Sequence, residues 1–251
     1  MGRELTLITM EGLEHPGFCG LVGRLSNKFK KKGHDSAFGF EPENAKFCNY
    51  FRPPTQQNSD VLVKFAERSA RGSESGGVTS RSPGLEAKLR EVVDKIRNGD
   101  NISSRDLVFL SFFERRIHLG SILKSGVFSK SFVVLKGYEL SVFAEGICAN
   151  IPFEELLQIR DLVLGDYYVS PDITIIFNVP GESSRLYLEQ RGVNLAKEYL
   201  EELGLSYEKA IARLQGGSNY GFVVRVKGDK SEGVVFADIL YKLGHYIPAF
   251  R

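Results

Sequence analysis

Apolar positions in this chain gather into short dense runs and longer periodic ones, and the two kinds alternate. Leu5, Leu7, Ile8 and Met10 form a dense run that stops at Glu11-Gly12, which predicts a buried strand over Leu5 to Met10. Leu21, Val22, Leu25 and Phe29 then fall at helical spacing within Gly20 to Lys32. Lys28, Lys30, Lys31 and Lys32 suit the C-terminal end of that helix, and Gly33 suits its stop. Ala37 to Phe40 reads as a second strand. Leu85, Leu89, Val92, Val93 and Ile96 mark an amphipathic helix ending at Asn98-Gly99. Ser103 or Ser104 then caps a helix from about Arg105 to Lys124, whose Leu107, Val108, Leu110, Phe112 and Phe113 are apolar nearly all round. Strands are predicted at Phe132 to Leu135, Ile173 to Val179 and Phe222 to Val226. Helices are predicted at Ser183 to Gln190, Asn194 to Leu203, Tyr207 to Leu214 and Glu232 to Leu243. The alternation predicts a parallel sheet with helices on both faces.

The pattern dissolves between about Asn44 and Pro83. FRPPTQQNSD holds a double proline, and Glu67 to Gly84 is rich in Ser, Gly and Arg. The expectation is one domain over residues 1–251 with a polar, flexible insertion at about 44–83, and no regular structure from Glu67 to Pro83. Composition adds mainly exclusions. Thirty-three basic against 31 acidic residues leave a net charge of +2, which makes no general case for nucleic-acid or membrane binding. Lys124, Lys130 and Lys136 are scattered and form no basic patch. No apolar run reaches the length of a membrane span, and no secretory signal is visible at the N-terminus. Cys19, Cys48 and Cys148 are widely spaced and lack a metal-site pattern, so reduced thiols in an intracellular compartment are expected, with no metal site.

Candidate chemistry centres on MEGLEHPGFCG. A strand, a loop with glycines at 12, 17 and 20, and a helix make the layout of a phosphate-binding loop. Gly12 and Gly17 have the spacing of G-x-x-x-x-G-K-[ST], yet the next two residues are Phe18 and Cys19 rather than a lysine and a hydroxyl. Phe18 is expected to cap the first helix and plug the cleft. Cys19 is expected to be an inert thiol, with His15 merely its neighbour in sequence.

Several landmarks in one order resemble thymidylate kinases of the nucleoside-monophosphate kinase group. MEGLEHPGFCG resembles the loop EG-[ILV]-D-G-x-G-K-[ST]-T, keeping Glu11-Gly12 and placing Glu14 at the aspartate position. FEPEN resembles the REP or FPER turn, with FAERSA at Phe65 to Ala70 as a competing match. FFERRIHL resembles the ADRxxH helix, with Glu114, Arg115 and His118 on the matching positions. FVVLKGYELSVFAEG resembles VVxDRYxxSxxAxxG, matching at Tyr138 and Ser141, and SPDITIIFNVP resembles PDLxxxLDVP. The resemblance implies an α/β, three-layer P-loop kinase-like fold with a five-stranded parallel sheet and helices on both faces. It also implies self-association or pairing with another subunit.

The departures from that pattern fall on the chemistry. The loop lysine position is Phe18, and the Ser/Thr pair is Cys19-Gly20. The aspartate and arginine of the DRY segment are Lys136 and Gly137; the turn arginine is Phe40, and the last strand's aspartate is Asn178. Arg115 alone remains of the expected phosphate-handling side chains. Losing one such contact costs about 10²- to 10³-fold in rate. The first expectation is therefore a catalytically degenerate, thymidylate-kinase-like protein, a structural or regulatory subunit bound to other proteins, with no catalytic residue and no cofactor. The second is a thymidylate kinase with a rearranged site, using ATP and magnesium, in which Lys136, Arg115 and Arg185 or Arg191 supply cations. The third is a sensor binding a nucleoside monophosphate through Arg115, Phe113, Tyr138 and Ser141. Lys136 is expected to be a solvated lysine at a strand end, and His118 a packed helix residue. Arg115 either binds an anion or pairs with Glu114 or Glu11. Glu11 and Glu14 are expected to make the cleft acidic.

Overall fold

The computed structural model describes residues 5–39, 83–124, 131–217 and 220–247. Five strands, β1 (Thr6–Gly12), β2 (Ser36–Gly39), β3 (Phe132–Lys136), β4 (Ile173–Asn178) and β5 (Phe222–Lys227), form one sheet. Their order is β2-β3-β1-β4-β5, and every neighbouring pair is parallel, as the alternating pattern predicts. Parallel neighbours cannot be joined by hairpins, so helices cross between them. These are α1 (Phe18–Lys31), α2 (Pro83–Asn98), α3 (Ser104–Lys124), α4 (Leu140–Cys148), α5 (Phe153–Leu164), α6 (Gly181–Glu189), α7 (Lys197–Gln215) and α8 (Glu232–Leu243).

Helices α1 and α8 cover one face of the sheet, α1 against β2 and β3 and α8 against β5. Helix α4 packs on the other face beside β1, flanked by α7, α5 and α3. The central strands are buried on both sides: Leu7, Ile8, Met10, Val133, Val134 and Ile175 have no solvent exposure. On the α1 side, Leu21, Val22, Leu25 and Phe29 fill the gap, and Phe29 stacks on Phe132 with ring centroids 4.0 Å apart. On the other side the hydroxyls of Thr9, Thr174 and Tyr220 form a hydrogen-bonded row across the sheet.

The elements depart from expectation in four places. Helix α2 starts at Pro83, inside the stretch expected to be irregular; proline suits a first helical turn because its missing N–H would be unpaired there. The two helices expected at Asn194 to Leu203 and Tyr207 to Leu214 are one, because Leu200, Leu203, Tyr207, Ala210, Ile211 and Leu214 keep a single buried stripe through Gly204. An interior glycine costs only about 1 kcal/mol, less than that stripe contributes. Helix α4 was expected only as part of a motif, and α5 not at all. The rest of the expected insertion, the FEPEN turn, FAERSA, Cys48 and Lys130 lie outside the described residues.

The chain leaves β1 toward one face and β3 toward the other. In an open parallel sheet this reversal opens a crevice outside the carboxyl ends of those strands. The crevice therefore lies where β1 ends at Gly12 and β3 ends at Lys136. Among the described residues, no helix is long and apolar enough to cross a membrane.

Candidate functional site

Register puts Met10 opposite Lys136, so the loop after β1 and the loop after β3 face each other across the crevice. The first loop turns at Gly12, whose φ is 129°. A side chain there would bring its Cβ to 2.6 Å from the Phe177 carbonyl oxygen, so only glycine fits so close to β4. The loop ends at Gly17, left-handed at φ 84°, which caps α1 without a side-chain hydrogen bond.

Phe18, the first residue of α1, turns inward and is 3% exposed. Its ring stacks on His15 (centroids 5.0 Å apart, planes 11° apart) and tilts against Phe177 at 4.7 Å. His15 is itself buried and 4.9 Å from Phe177, so the three rings form a closed cluster under the loop. The His15 Nδ1 donates to the Pro16 carbonyl at 2.8 Å, which fixes the proton on that nitrogen. Burial lowers the His15 pKa, and Lys136 lowers it further, against the Pro16 hydrogen bond and the Glu14 charge, which favour the cation.

Across the cluster lies Lys136, expected to be solvated. Its side chain is only 13% exposed, with Nζ 2.5 Å from Glu14 Oε1 and 4.9 Å from the centre of the Phe18 ring. The structure corrects that expectation: β3 is central, so its C-terminal side chain emerges into the crevice instead of onto a free surface. Glu14 is matched by this ammonium, while Glu11 and Glu145 also line the cleft, so carboxylates still outnumber the lysine in its lining. Glu11 is buried in the same wall, 1% exposed. The outer side of the loop is closed by Glu232, the first residue of α8. A Cβ on Gly17 would lie 3.2 Å from its Cγ, and its Oε1 accepts from Arg24 at 2.7 Å.

Arg115, on α3, is 7% exposed and engaged within the protein. It donates through Nε to the Tyr138 carbonyl, through Nη1 to the Ser111 carbonyl at 3.1 Å, and through Nη2 to Ser141 Oγ at 2.9 Å. These bonds pin the β3–α4 loop to α3. Tyr138 is buried, and its hydroxyl accepts from the Val169 N–H at 3.2 Å. Phe113 is buried and stacks on Phe109. His118 lies outside the crevice, near Gly39 at the end of β2, its pKa lowered by burial and by the Arg115 charge. Cys19 is a free, exposed thiol, and Asn178 is exposed at the end of β4.

Of the sequence candidates, then, Glu11, Gly12, Glu14, Phe18, Lys136, Gly137 and Ser141 meet at one cleft, joined by Glu145, Leu203 and Tyr207. Arg115 stands behind Ser141; Phe113 and His118 face elsewhere. Arg185 is held by Glu182 and Glu189 on its own helix. Arg191 is held by Tyr187 but lies close enough to Glu14 for their charges to interact. Phe177 and Glu232 carried no sign in the sequence beyond an apolar strand and a helix start. The cleft has a volume of about 30 Å³, room for about two waters, whereas small-molecule pockets run to about 300 Å³ and more. An ATP–magnesium site needs open backbone N–H groups, a lysine across them and a hydroxyl on the metal. This loop offers a proline, a buried ring, a thiol and a flanking carboxylate, and does not fit that group.

Sheet order and crevice define an α/β protein of P-loop kinase-like fold. No protein-family profile matches the chain. It is similar to the thymidylate kinase of Baumannia cicadellinicola subsp. Homalodisca coagulata, with 25% identity over 158 residues, covering 61% of this chain and 74% of the relative.

Proposed function

We propose that this chain is a thymidylate-kinase-like protein that does not transfer phosphate and keeps the kinase fold for assembly, as a structural or regulatory subunit bound to other proteins or to itself. The observation that carries the reading is the buried ring of Phe18, stacked on His15 and Phe177 where the loop would cradle phosphates, with Glu14 and Lys136 tied across it. Phosphoryl transfer is positioning plus stabilisation of developing charge. Here the loop lacks its lysine, and Arg115 is engaged with three protein oxygens. On this reading the protein works with reduced thiols inside the cell and needs neither ATP nor magnesium.

A coupled assay with ATP and dTMP tests it: no turnover is expected from the natural chain. None is expected from Phe18→Lys with Cys19→Ser either, because Lys136 and Gly137 leave the β3 side of the site unbuilt. A second reading, a kinase with a rearranged site, is favoured by Lys136 lying in the cleft and Arg191 beside Glu14. Turnover of dTMP that is lost in Lys136→Met would promote it over the first.

A further inference from the structure

Helix α1 closes on Lys28, Lys30, Lys31 and Lys32, the last of them its C-cap. Lys28 is half-buried, and the other three are exposed. Lysines suit a helix end, because its unpaired carbonyls carry about half of one negative charge. One ammonium answers that charge, and four leave an excess. The nearest acidic residue in sequence, Asp35, is exposed and already has interactions within the protein. Among the described residues, none of the four lysines has an ion-pair partner.

Lysines elsewhere on the surface are treated differently. Lys88, Lys95, Lys197, Lys209 and Lys242 each reach a carboxylate within 3.3 Å. Arg24, earlier on α1, is held by Glu232 at 2.7 Å. Positive charge is thus left over on one turn of one helix. That turn lies at the amino ends of the strands, since Ser36, which opens β2, follows just after it. Helix α1 is 14 residues long, which sets the turn about 20 Å from the glycine loop and its crevice.

The neighbouring residues decide what the turn can hold. Leu25 and Phe29, the apolar residues at this end of α1, are spent in the core with no exposure. The exposed positions are Asn27, Lys30, Lys31, Lys32, Gly33 and Asp35. None is apolar, so nothing here enters a lipid layer, as stable anchoring beside basic charge requires. The one partly exposed ring in the stretch, His34, is packed in T-shaped contacts with Phe29 and Phe132, so it is no free platform for stacking a base. Charge is what remains. Positions 28 to 32 span about 6 Å along the helix axis. An extended chain covers that in about two residues, at about 3.3 Å each, which suits a short acidic run.

We propose that the C-terminal turn of α1 is a docking surface for an acidic segment of a partner protein, whose carboxylates pair with Lys28, Lys30, Lys31 and Lys32. The proposal names a partner class for the assembly reading above but is separable from it, because the turn stands clear of the crevice. Turnover of dTMP would overturn that reading and leave this one standing.

Fluorescence anisotropy on the full chain at low ionic strength tests it, with labelled oligoglutamate as the probe. Oligolysine, an oligothymidylate of equal net charge, and vesicles of phosphatidylcholine with phosphatidylserine are the comparisons. The natural chain is expected to bind oligoglutamate, more weakly as salt is added, and not to bind oligolysine. Lys30→Ala with Lys31→Ala should weaken binding about tenfold, the scale of two exposed ion pairs, while alanine keeps the helix. Lys197→Ala with Lys209→Ala removes the same net charge from α7 and should leave the affinity nearly unchanged. No binding of oligoglutamate overturns the proposal, and so does equal weakening by the two double variants. Tighter binding of the oligothymidylate or the vesicles, lost in Lys30→Ala with Lys31→Ala, also overturns it and assigns the turn to nucleic acid or to membrane.

Discussion

Glu139 has no solvent exposure, and its partners are imperfect: Arg160 Nη1 stands 3.3 Å from Oε2, and the Tyr168 hydroxyl donates to Oε1 at 3.0 Å. Burial outweighs both contacts and pushes the carboxyl up to about 7. The folded chain therefore holds a proton that the unfolded chain gives up near the ordinary value of 4.5. Stability is full below 4.5 and is lost as pH rises through 7, by about 3 kcal/mol. Glu139→Gln should flatten that fall, read as urea midpoints across the range, and an unchanged slope would refute the assignment. His15 and His118 act with the opposite sign. His15 is buried and His118 half-buried, and both have lowered pKa values, so the unfolded chain takes up protons first and stability falls as pH drops below 6.5. His15→Phe keeps a ring between Phe18 and Phe177 and should remove part of that acid-side loss. Neither slope can be read from the sequence, where Glu139 looks like any polar residue after a tyrosine.

Helix α3 begins with a reciprocal cap. Asp106 accepts from the Ser103 N–H at 3.1 Å and hydroxyl at 2.8 Å, while its own N–H donates to Ser103 Oγ at 3.2 Å. Lys88 and Lys95 of α2 approach the same carboxylate at 2.9 and 3.1 Å, which ties two helices at one point. Against the cost of burial, these partners hold the Asp106 carboxyl down to about 2. Its stabilisation is present above 3.8 and is lost as pH falls toward 2. Asp106→Asn should destabilise the protein by about 1 to 3 kcal/mol at neutral pH, as chemical denaturation would measure, because the cap survives only in part and the lysines lose their partner. Ser103 was one of two caps the sequence offered, with Ser104; the lysines were not visible, since they meet Asp106 only through helix packing. The same contrast runs through the fold. Four of the five strands were readable from dense apolar runs; β2, the short SAFG segment, carried a weaker apolar signal. Helix α4 hid because LSVFAEGIC, buried on nearly every side, has no polar face to set a period. Helix α5 did carry signals, Pro152 before it and Glu154 and Glu155 in its first turn. In the candidate site the loop glycines and the missing lysine were plain in the sequence, while the Lys136–Glu14 pair was not. It depends on which strands are neighbours.

At the scale of the whole molecule, sheet order places a crevice at the ends of β1 and β3, and local chemistry fills it with rings and the Glu14–Lys136 pair. A ligand that binds the native chain alone adds stability by mass action, about 2.7 kcal/mol at a hundred times its dissociation constant. For a chain of this size that would raise the melting temperature by about 5 to 10 °C. We expect no such rise with millimolar magnesium–ATP, dTMP or both, because Phe18 and the Glu14–Lys136 pair already occupy the space and the charge a nucleotide would use. On the non-catalytic proposal, the native state draws from its own side chains the stabilisation that a nucleotide would supply. It follows that Phe18→Ala should lower the melting temperature in buffer alone, by the loss of a buried ring worth about 3 to 5 kcal/mol. A thermal-shift screen tests both arms together. No nucleotide response with a strongly lowered Phe18→Ala melt is the expected pair of results, and a rise of several degrees with either nucleotide would show that the crevice opens and would favour the rearranged kinase.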